Sequence, residues 1–284
     1  MKVVILAGGR GTRLSEETHA IPQPMVTIGG RPILWHIMRH YASFGIKDFV
    51  VACGYKGYVI KEYFANYLTH ECDLSIDLGT GNIEVLSRHP EDWRVTLVDT
   101  GQSTMTGGRL GRLAPMLDET FLLSYGDGLS DVSIDDLLAY HRSKGALATV
   151  TAVHQPPRFG ALELENGLVA RFREKPVISQ DRINGGFFVF EPGMLALLTG
   201  DECVLEAGPL STLAAEGQLA AFQHDGFWQP MDTLREYQAL NQMWAVGHAP
   251  WAVWDRDRMR GIDDLTEAER TGEREGRWAA GGRR

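Results

Sequence analysis

The sequence predicts an α/β fold whose central sheet is doubly wound and mostly parallel (mixed), with helices on both faces. Two observations predict it. Short continuous apolar runs alternate with amphipathic helical stretches through the first half of the chain, and several of these runs end in glycine. A continuous apolar run is typical of a strand buried on both faces. Repeated β-α-β order then places the helices on the two faces of one sheet.

In the first half, strands and helices follow one another in turn. The run KVVILA predicts the first strand, and Pro32 opens a helix that stops at Gly45. Further strands are predicted at DFVVACG, FLLSYGDG and ALATVTAV. Helices are predicted between them, at YVIKEYFANYL and IDDLLAYHRSKG.

From about Phe159 the pattern changes to hairpins. Alternating apolar and polar residues around Asn166-Gly167 predict a β-hairpin. A further strand is predicted in NGGFFVFEP, and LAAFQHDGFWQPM is predicted to be a strand followed by a loop. We therefore expect one domain over residues 1–254, with a hairpin-rich part at 156–254 following a part at 1–155. The tail, residues 255–284, is rich in both charges and predicts a solvated helix or disorder.

Composition narrows the class of protein. The chain has 284 residues and a formal net charge of −9, so nothing in its overall charge favours binding to nucleic acid or to a membrane surface. The three cysteines are far apart and match no zinc spacing. No apolar run reaches membrane-spanning length, and the first strand leaves no room for a signal peptide before the glycines. These features predict a cytoplasmic protein.

The loop after the first strand is rich in glycine. Gly8, Gly9 and Gly11 let backbone N–H groups approach a phosphate without a Cβ in the way, although a simple tight turn would use the same residues. Two nucleotide motifs are excluded: Leu14 stands where the dinucleotide fingerprint needs glycine, and no Gly-Lys-Ser/Thr occurs.

The loop and its continuation, G-G-x-G-T-R-L followed by P-x-P-M, resemble the signature of the sugar-1-phosphate nucleotidyltransferases. Other stretches are similar to the cytidylyltransferase branch of that family, which makes CDP-glucose: GYKGYVIKEYFANY, VTLVDTGQSTMTGGRL, RFGALEL, REKP, INGGFFVFEP and GFWQPMDTLREYQAL. The resemblance covers roughly residues 1–254. It implies a Rossmann-like domain with a nucleotide-binding part at 1–155 and a sugar-binding part at 156–254.

The resemblance implies a reaction in which an oxygen of a sugar 1-phosphate, most simply glucose 1-phosphate, attacks the α-phosphorus of a nucleoside triphosphate, with CTP favoured. That oxygen is already an anion at pH 7, so no side chain has to deprotonate it. The requirement is to align two anions and to neutralise their charge with Mg²⁺, basic side chains and backbone amides. The resemblance also implies a homo-oligomer, and aromatic-rich stretches such as KEYFANY are candidate contacts between subunits.

Two aspartates are the candidate metal ligands. Asp127, in YGDG, follows a buried strand at the edge where open α/β sheets bind ligands, although it would also suit an ordinary turn. Asp232 is assigned to the metal by its match to the family, since the residues alone favour an N-cap of the helix that begins near Thr233.

The remaining site residues are carried over from the family. Arg13, Lys175 and Asp127 are the implied catalytic residues. The implied nucleotide-binding positions are Leu6, Gly8, Gly9, Arg10, Gly11, Thr12, Arg13, Gln23, Thr106, Gly107 and Arg109. Among these, the loop at Gly8-Gly9 and the segment 101–107 are expected to contact the base, more by backbone than by side chain. The implied sugar-phosphate-binding positions are Tyr125, Gly126, Gly160, Glu174, Lys175, Asn184 and Gly185. A solvated arginine is the alternative for Arg13, and an arginine on a helix surface is the alternative for Arg109.

Other features are assigned to structure. His36 and His40 lie four apart on one helix, but no third ligand is evident, so a structural role is expected. Trp228 is expected to pack rather than to stack on a substrate.

Gln23 departs from the family pattern, which has lysine between the two prolines. Glutamine can donate a hydrogen bond but brings no charge, and losing a well-placed donor to a transition-state anion costs roughly 10²–10³ in rate. Arg10 is a candidate for compensation. Two alternatives stay open: the enzyme uses an altered substrate, or the protein is a homologue that binds these ligands without transfer.

Overall fold

The computed structural model describes residues 1–9, 11, 21–86, 91–155, 161–165, 168–173 and 181–255. The described strands are β1 Val3–Ala7, β2 Thr27–Ile28, β3 Arg31–Pro32, β4 Asp48–Cys53, β5 Leu74–Asp77, β6 Asn82–Val85, β7 Arg94–Asp99, β8 Phe121–Tyr125, β9 Gly128–Ser130, β10 Ala148–His154, β11 Ala161–Glu165, β12 Leu168–Arg173, β13 Arg182–Phe190, β14 Leu219–His224 and β15 Trp228–Pro230. The described α-helices are α1 Ile33–Ser43, α2 Gly57–Ala65, α3 Tyr67–Glu71, α4 Thr106–Leu113, α5 Ile134–Lys144, α6 Pro209–Ala215 and α7 Leu234–Ala245.

Seven strands form the central sheet, in the order β14-β10-β13-β8-β1-β4-β7. β1 runs parallel to both β4 and β8, β4 is parallel to β7, and β10 is parallel to β14. β13 is antiparallel to its two neighbours, β8 and β10. The predicted mostly parallel, mixed sheet is therefore confirmed. β13 and β14 come from the second half of the chain, so the two predicted parts contribute to one sheet.

Two apolar layers cover the two faces of this sheet. Along β1, Val3 and Ile5 belong to one core cluster, and Val4 and Leu6 belong to the other. The first cluster includes residues of α1, α5 and α7, and the second includes residues of α4 and α6. Since successive residues of a strand point to opposite faces, every residue of β1 meets a helix layer. This arrangement explains the continuous apolar run and confirms helices on both faces.

Most predicted elements appear where the sequence pattern placed them, but the segment predicted as a loop after β14 contains the short strand β15, which pairs with β9. The hairpin around Asn166-Gly167 is present as the antiparallel pair β11–β12, although the two turn residues lie outside the described part of the chain. The helix predicted over YVIKEYFANYL is instead two helices, α2 and α3, which meet at Asn66. The Asn66 side chain donates to the Glu62 carbonyl at 2.8 Å, a local bond that competes with helix continuation. The charged tail from residue 256 lies outside the described residues.

The order of the strands places a switch point at β1. The chain leaves β1 to form β4 on one side and later returns to form β8 on the other. In open α/β sheets such a point leaves a crevice at the carboxyl ends of the strands, where ligands bind. The glycine-rich loop after β1 and the Gly126-Asp127 turn after β8 both lie at this edge.

Candidate active site

A cavity of about 330 Å³ lies at the carboxyl edge of β1 and β8. Fifteen of the described residues line it: Leu6, Ala7, Gly8, Gly9, Gln23, Pro24, Thr104, Met105, Thr106, Arg109, Tyr125, Gly126, Asp127, Val204 and Glu206. The walls come from the loop after β1, the start of α4, the end of β8 and the segment that precedes α6. Residues about 200 positions apart in the chain therefore share one cavity.

Nine of the residues expected at the site line this cavity: Leu6, Gly8, Gly9, Gln23, Thr106, Arg109, Tyr125, Gly126 and Asp127. Six others lie outside the described residues: Arg10, Thr12, Arg13, Gly160, Glu174 and Lys175. Gly11 is described and has φ of 59°. The remaining four, Gly107, Asn184, Gly185 and Asp232, are close in the fold but do not line the cavity.

Arg109 is buried and holds three loops together. To described residues its guanidinium donates five hydrogen bonds: Nη1 to the Thr100 hydroxyl at 2.8 Å and to two carbonyls, those of Cys53 and Gly101, and Nη2 to two more, those of Gly8 and Gln102. All five acceptors are neutral oxygens. Burial, followed by repulsion from Arg112, lowers the pKa of the guanidinium from its usual value. The alternative of a surface arginine is wrong, and the buried charge lies in the cavity wall.

Two glycines make room for this guanidinium. A Cβ on Gly8 would lie 2.1 Å from Arg109 Nη1, and a Cβ on Gly54 would lie 2.3 Å from the same atom. Since five hydrogen bonds hold the guanidinium, it cannot move aside without losing them. Gly8 therefore serves the arginine as well as the cavity. Gly9 faces open space, because a Cβ there would meet no described atom within 4 Å.

The start of α4 faces the cavity. Its N-cap, Met105, makes no side-chain capping hydrogen bond, so the helix presents its first turn to the cavity without a protein acceptor from that residue. A helix N-terminus attracts anions through its N–H groups and its dipole. Gly107, in this turn, packs against the next segment: a Cβ there would lie 2.7 Å from Cys203 Sγ. Its expected contact with nucleotide stays a prediction.

Gln23 joins the first loop to the loop that carries Asp232. It is only 8% exposed, and its Nε2 donates to the Met231 carbonyl at 2.7 Å. Met231 is also tied to the other aspartate loop, because its N–H donates to the Asp127 carbonyl at 2.8 Å. The side chain in the position of the family's lysine thus stabilises the backbone between the two candidate metal ligands.

Asp127 and Asp232 lie at adjoining ends of a two-stranded ribbon. β9 and β15 pair antiparallel with Gly128 opposite Pro230, so Asp127 precedes one strand and Asp232 follows the other. The cap of α7 is Thr233, not Asp232: the Thr233 hydroxyl accepts from the Glu236 N–H, and the Glu236 carboxylate accepts from the Thr233 N–H. The N-cap alternative for Asp232 is therefore wrong, because its neighbour fills that role.

Carboxylate oxygens suit Mg²⁺, which takes one or two protein carboxylates and completes its shell with water and substrate phosphates. Within the described residues there is no group of three or more His, Cys, Asp or Glu side chains arranged to hold a metal. The two aspartates fit a metal shared with a phosphate substrate better than a closed structural site.

A chain of hydrogen bonds crosses the wall opposite the first loop. Asn184 Nδ2 donates to the Tyr125 hydroxyl at 3.1 Å, and that hydroxyl donates to Glu206 Oε1 at 2.5 Å. Glu206 Oε2 accepts from the Thr106 hydroxyl at 2.8 Å. Burial, followed by the charge of Glu206, raises the pKa of the Tyr125 phenol above its usual value. Sequence reasoning missed Glu206, whose only signal is a carboxylate within the apolar run CVLEAGPL.

The residues assigned to structure behave as expected. His36 is fully buried, its Nε2 is 2.9 Å from the Ile28 carbonyl, and Trp251 Nε1 donates to its Nδ1 at 3.3 Å. His40 packs among the rings of Tyr41, Phe44 and Phe187. Trp228 donates through Nε1 to the Gly185 carbonyl at 2.7 Å, which agrees with a packing role. The Gly185 carbonyl therefore already has a donor from the protein.

Comparisons with known proteins agree with this architecture. The chain is 54% identical over 257 residues to a glucose-1-phosphate cytidylyltransferase of Salmonella typhi, covering 90% of this chain and 100% of that protein. It is 45% identical over 256 residues to a probable glucose-1-phosphate cytidylyltransferase of Bacillus subtilis, covering 89% of this chain and all of that protein. Among solved structures, a putative glucose-1-phosphate thymidylyltransferase from Bacillus anthracis has the same fold, with a TM-score of 0.63 at 17% identity over 86% of this chain and 94% of that one.

A family model, described as nucleotidyl transferase, matches residues 2–241. That range contains the loop after β1, the start of α4, both candidate metal ligands and Glu206. The resemblance drawn from the loop motifs is confirmed, and the chain belongs to the nucleotidyl transferase family of enzymes.

Proposed function

We propose that this chain transfers a cytidylyl group from CTP to glucose 1-phosphate, forming CDP-glucose and releasing pyrophosphate. The observation that carries the proposal is the 54% identity, over nine tenths of the chain, to a relative named for this reaction. The cavity supports it, because a glycine-rich loop, a helix N-terminus and an aspartate meet there at the switch point of the sheet.

In the proposed reaction, a phosphate oxygen of glucose 1-phosphate attacks the α-phosphorus of CTP. A new P–O bond forms as the bond to the β-phosphate oxygen breaks, and pyrophosphate leaves with that oxygen. The nucleophile carries its negative charge before the reaction begins, so the site needs no general base. What the site must supply is alignment and positive potential.

The chain's own residues meet these needs in different ways. The buried Arg109 guanidinium adds a positive charge to the cavity wall, and all of its bonded partners among the described residues are neutral. Gln23 holds the Met231 backbone between the two aspartates. Thr12, Arg13 and Lys175 are expected to contact phosphates directly, and they stay predictions because they lie outside the described residues.

Asp127 and Asp232 are the residues that would hold Mg²⁺, which when bound supplies positive charge to the triphosphate and to the departing pyrophosphate. The hexose would lie beyond Tyr125, toward Asn184 and the β11–β12 hairpin. Tyr125 lies at the end of β8, and Asn184 lies on β13, the neighbouring strand of the sheet. This placement agrees with a sugar-binding part in the second half of the chain.

The homo-oligomer and the cytoplasmic location remain part of the proposal. The aromatic side chains of KEYFANY pack on one another, with Tyr63, Phe64 and Tyr67 in mutual ring contact. Exposed apolar side chains lie instead on the β5–β6 hairpin: Ile76, Leu78 and Ile83. The hairpin is therefore the better candidate for subunit contact, and light scattering of the purified protein measures the mass directly.

Within the described residues no helix has the length and apolar character to span a membrane.

The test of the proposed function is pyrophosphate release with Mg²⁺ and glucose 1-phosphate, measured separately with CTP, UTP, dTTP and ATP. We expect the fastest release with CTP, and a loss of about 10² or more in Asp127→Asn, since that change removes a ligand charge. Faster release with another triphosphate would reassign the nucleotide.

The alternative is a homologue that binds these ligands without transfer, and the observation that favours it is Gln23, whose amide is already bonded to Met231. Gln23→Lys separates the two possibilities. If the wild-type protein is inactive with all four triphosphates and Gln23→Lys restores release, the missing charge explains the loss. If both proteins are inactive yet bind CTP in calorimetry, the proposed transfer is wrong.

A further inference from the structure

Glu206 is a carboxylate in the wall of a cavity that we assign to anionic substrates. It is half-buried, and both of its oxygens are held: Oε1 by the Tyr125 hydroxyl at 2.5 Å and Oε2 by the Thr106 hydroxyl at 2.8 Å. Thr106 is itself fixed, because its hydroxyl oxygen accepts from the Leu205 N–H at 3.0 Å. The carboxylate therefore has a defined orientation before any substrate arrives.

Among the hydrogen bonds that the described residues form, these two do not saturate the carboxylate. An ionised carboxylate offers about four lone-pair positions, and the two hydroxyls occupy two of them. The others can accept hydrogen bonds from a ligand in the cavity that Glu206 lines. Hydrogen bonds to a charged acceptor are stronger than those between neutral groups.

The negative charge of the Glu206 carboxylate limits which groups of a substrate can lie next to it. A phosphate beside Glu206 would be repelled, so the carboxylate must face an uncharged donor group of the substrate. Nucleoside triphosphates and hexose phosphates offer such donors only on the base, on the ribose and on the hexose. The position of Glu206 in the cavity selects among them.

Glu206 lies between the two ends of the nucleotide site. Thr106 starts α4, whose Arg109 binds the Gly8 carbonyl in the first loop, at the end expected to hold the base. Tyr125 pairs with Leu6 at the ends of β8 and β1 and directly precedes Gly126-Asp127, at the end expected to hold the phosphates. The part of a nucleotide that joins base to phosphates is the ribose.

We propose that Glu206 binds the ribose hydroxyl groups of the nucleotide, and so makes the enzyme select ribonucleotides over deoxyribonucleotides. Two adjacent hydroxyls suit the two oxygens of one carboxylate, and Tyr125 and Thr106 keep those oxygens in place. This inference rests on the proposed function, because it takes the ligand of the cavity to be a nucleoside triphosphate.

The experiment compares CTP with 2′-deoxy-CTP and 3′-deoxy-CTP in wild type, Glu206→Gln and Glu206→Ala. In wild type we expect kcat/KM to favour CTP over at least one analogue by about 10- to 100-fold, the range for a hydrogen bond to a charged group. In Glu206→Ala the ratio should fall to near 1, and in Glu206→Gln, which keeps the shape, to an intermediate value. The KM for glucose 1-phosphate should change less than the KM for CTP.

Two control variants distinguish direct contact between Glu206 and the ribose from the support that neighbouring residues give to Glu206. Glu202→Gln removes a carboxylate from the same segment but outside this cavity, and should keep the wild-type ratio. Tyr125→Phe removes one bond that holds Glu206 and should keep most of the ratio whatever its total activity, since Thr106 still holds the carboxylate. Thermal melts of each variant check folding.

Distinct results overturn the inference. An unchanged ratio in Glu206→Ala would show that the carboxylate does not contact the ribose. A ratio lost equally in Tyr125→Phe would make Glu206 a positioning residue for Tyr125. Sensitivity to 2-deoxyglucose 1-phosphate instead of deoxy-CTP would place the hexose there. If wild type turns over no triphosphate, the proposed function fails separately, and calorimetry with CTP and 2′-deoxy-CTP still tests Glu206.

Discussion

Gln23 and Arg109 show how single side chains build this site through the backbone. Each is buried, and most of their hydrogen bonds go to main-chain carbonyls. A buried carbonyl that loses its donor has neither water nor protein to bond to, and this destabilises the fold. Removing either side chain should therefore lower stability by more than the loss of its own contacts. The sequence predicts both residues as substrate contacts, and the structure gives each a supporting role as well.

Gln23→Ala is expected to lower the free energy of unfolding by about 1–3 kcal/mol, because the Met231 carbonyl loses its 2.7 Å donor in a buried place. It should also raise the Mg²⁺ concentration needed for activity, since Met231 lies beside Asp232. Urea unfolding and a Mg²⁺ titration measure the two effects. Gln223→Ala, on an exposed position of β14, is the matched control. Equal stability of the two variants would contradict the supporting role.

Arg109→Lys is expected to lower the free energy of unfolding, measured by urea unfolding, by about 2–4 kcal/mol. An ammonium has three donors and cannot match the five bonds of the guanidinium. Affinity for CTP should fall with it. Arg112→Lys is the control: Arg112 lies on the same helix and forms an exposed ion pair with Asp201, so this change should leave the free energy of unfolding close to wild type. Similar losses in the two variants would mean that the buried network adds little.

At the scale of elements, α1 is held between the sheet and the C-terminal segment that contains Trp251. His36 is the polar link in this packing, with the Ile28 carbonyl on one ring nitrogen and Trp251 Nε1 on the other. The ring must be neutral, because Nδ1 accepts from Trp251. Burial lowers the pKa of His36 to about 4.

This pKa predicts acid sensitivity of the fold. Between pH 6.5 and about 4, His36 binds a proton in the unfolded chain but not in the folded protein. The free energy of unfolding therefore falls as pH falls through this window. The loss attributable to His36 is up to ~3 kcal/mol and is complete near pH 4. Urea unfolding at pH 7.5, 6, 5 and 4 measures it. His36→Gln should flatten the dependence, whereas His70→Gln, at an exposed position, should not.

For the whole molecule, two apolar layers on one sheet set the stability, and the end of the described chain completes one of them. Trp251 is fully buried in the layer that includes α1 and α7, with Trp254 packed against it. The part of the chain that the fold needs therefore extends past the end of α7 to this segment.

Two truncations test this boundary. Ending the chain after Asp255 keeps Trp251 and should leave the melting temperature and kcat close to wild type, as the charged composition of residues 256–284 also predicts. Ending it after Pro250 removes Trp251 and should cost at least about 3–5 kcal/mol. Calorimetry of both proteins is the measurement. A large loss in the longer protein would show that the tail packs on the domain.

The sequence by itself determined the fold class, the switch-point loop and the place of Asp127, because these follow from local periodicity and from glycines next to strand ends. It also determined the family, through the loop motifs. The antiparallel insertion of β13 between β8 and β10 was not readable, since pairing is a choice among distant strands.

Only the tertiary structure decided which side chains support the site. Gln23 meets Met231 across 208 residues, Arg109 meets Gly8 across 101, and Tyr125 meets Glu206 across 81. Each contact joins segments whose separation in the chain carries no periodic signal. A lone carboxylate in an apolar run becomes a candidate ribose ligand only when folding brings two hydroxyls and a cavity to it, because its role is set by neighbours and not by its own position in the sequence.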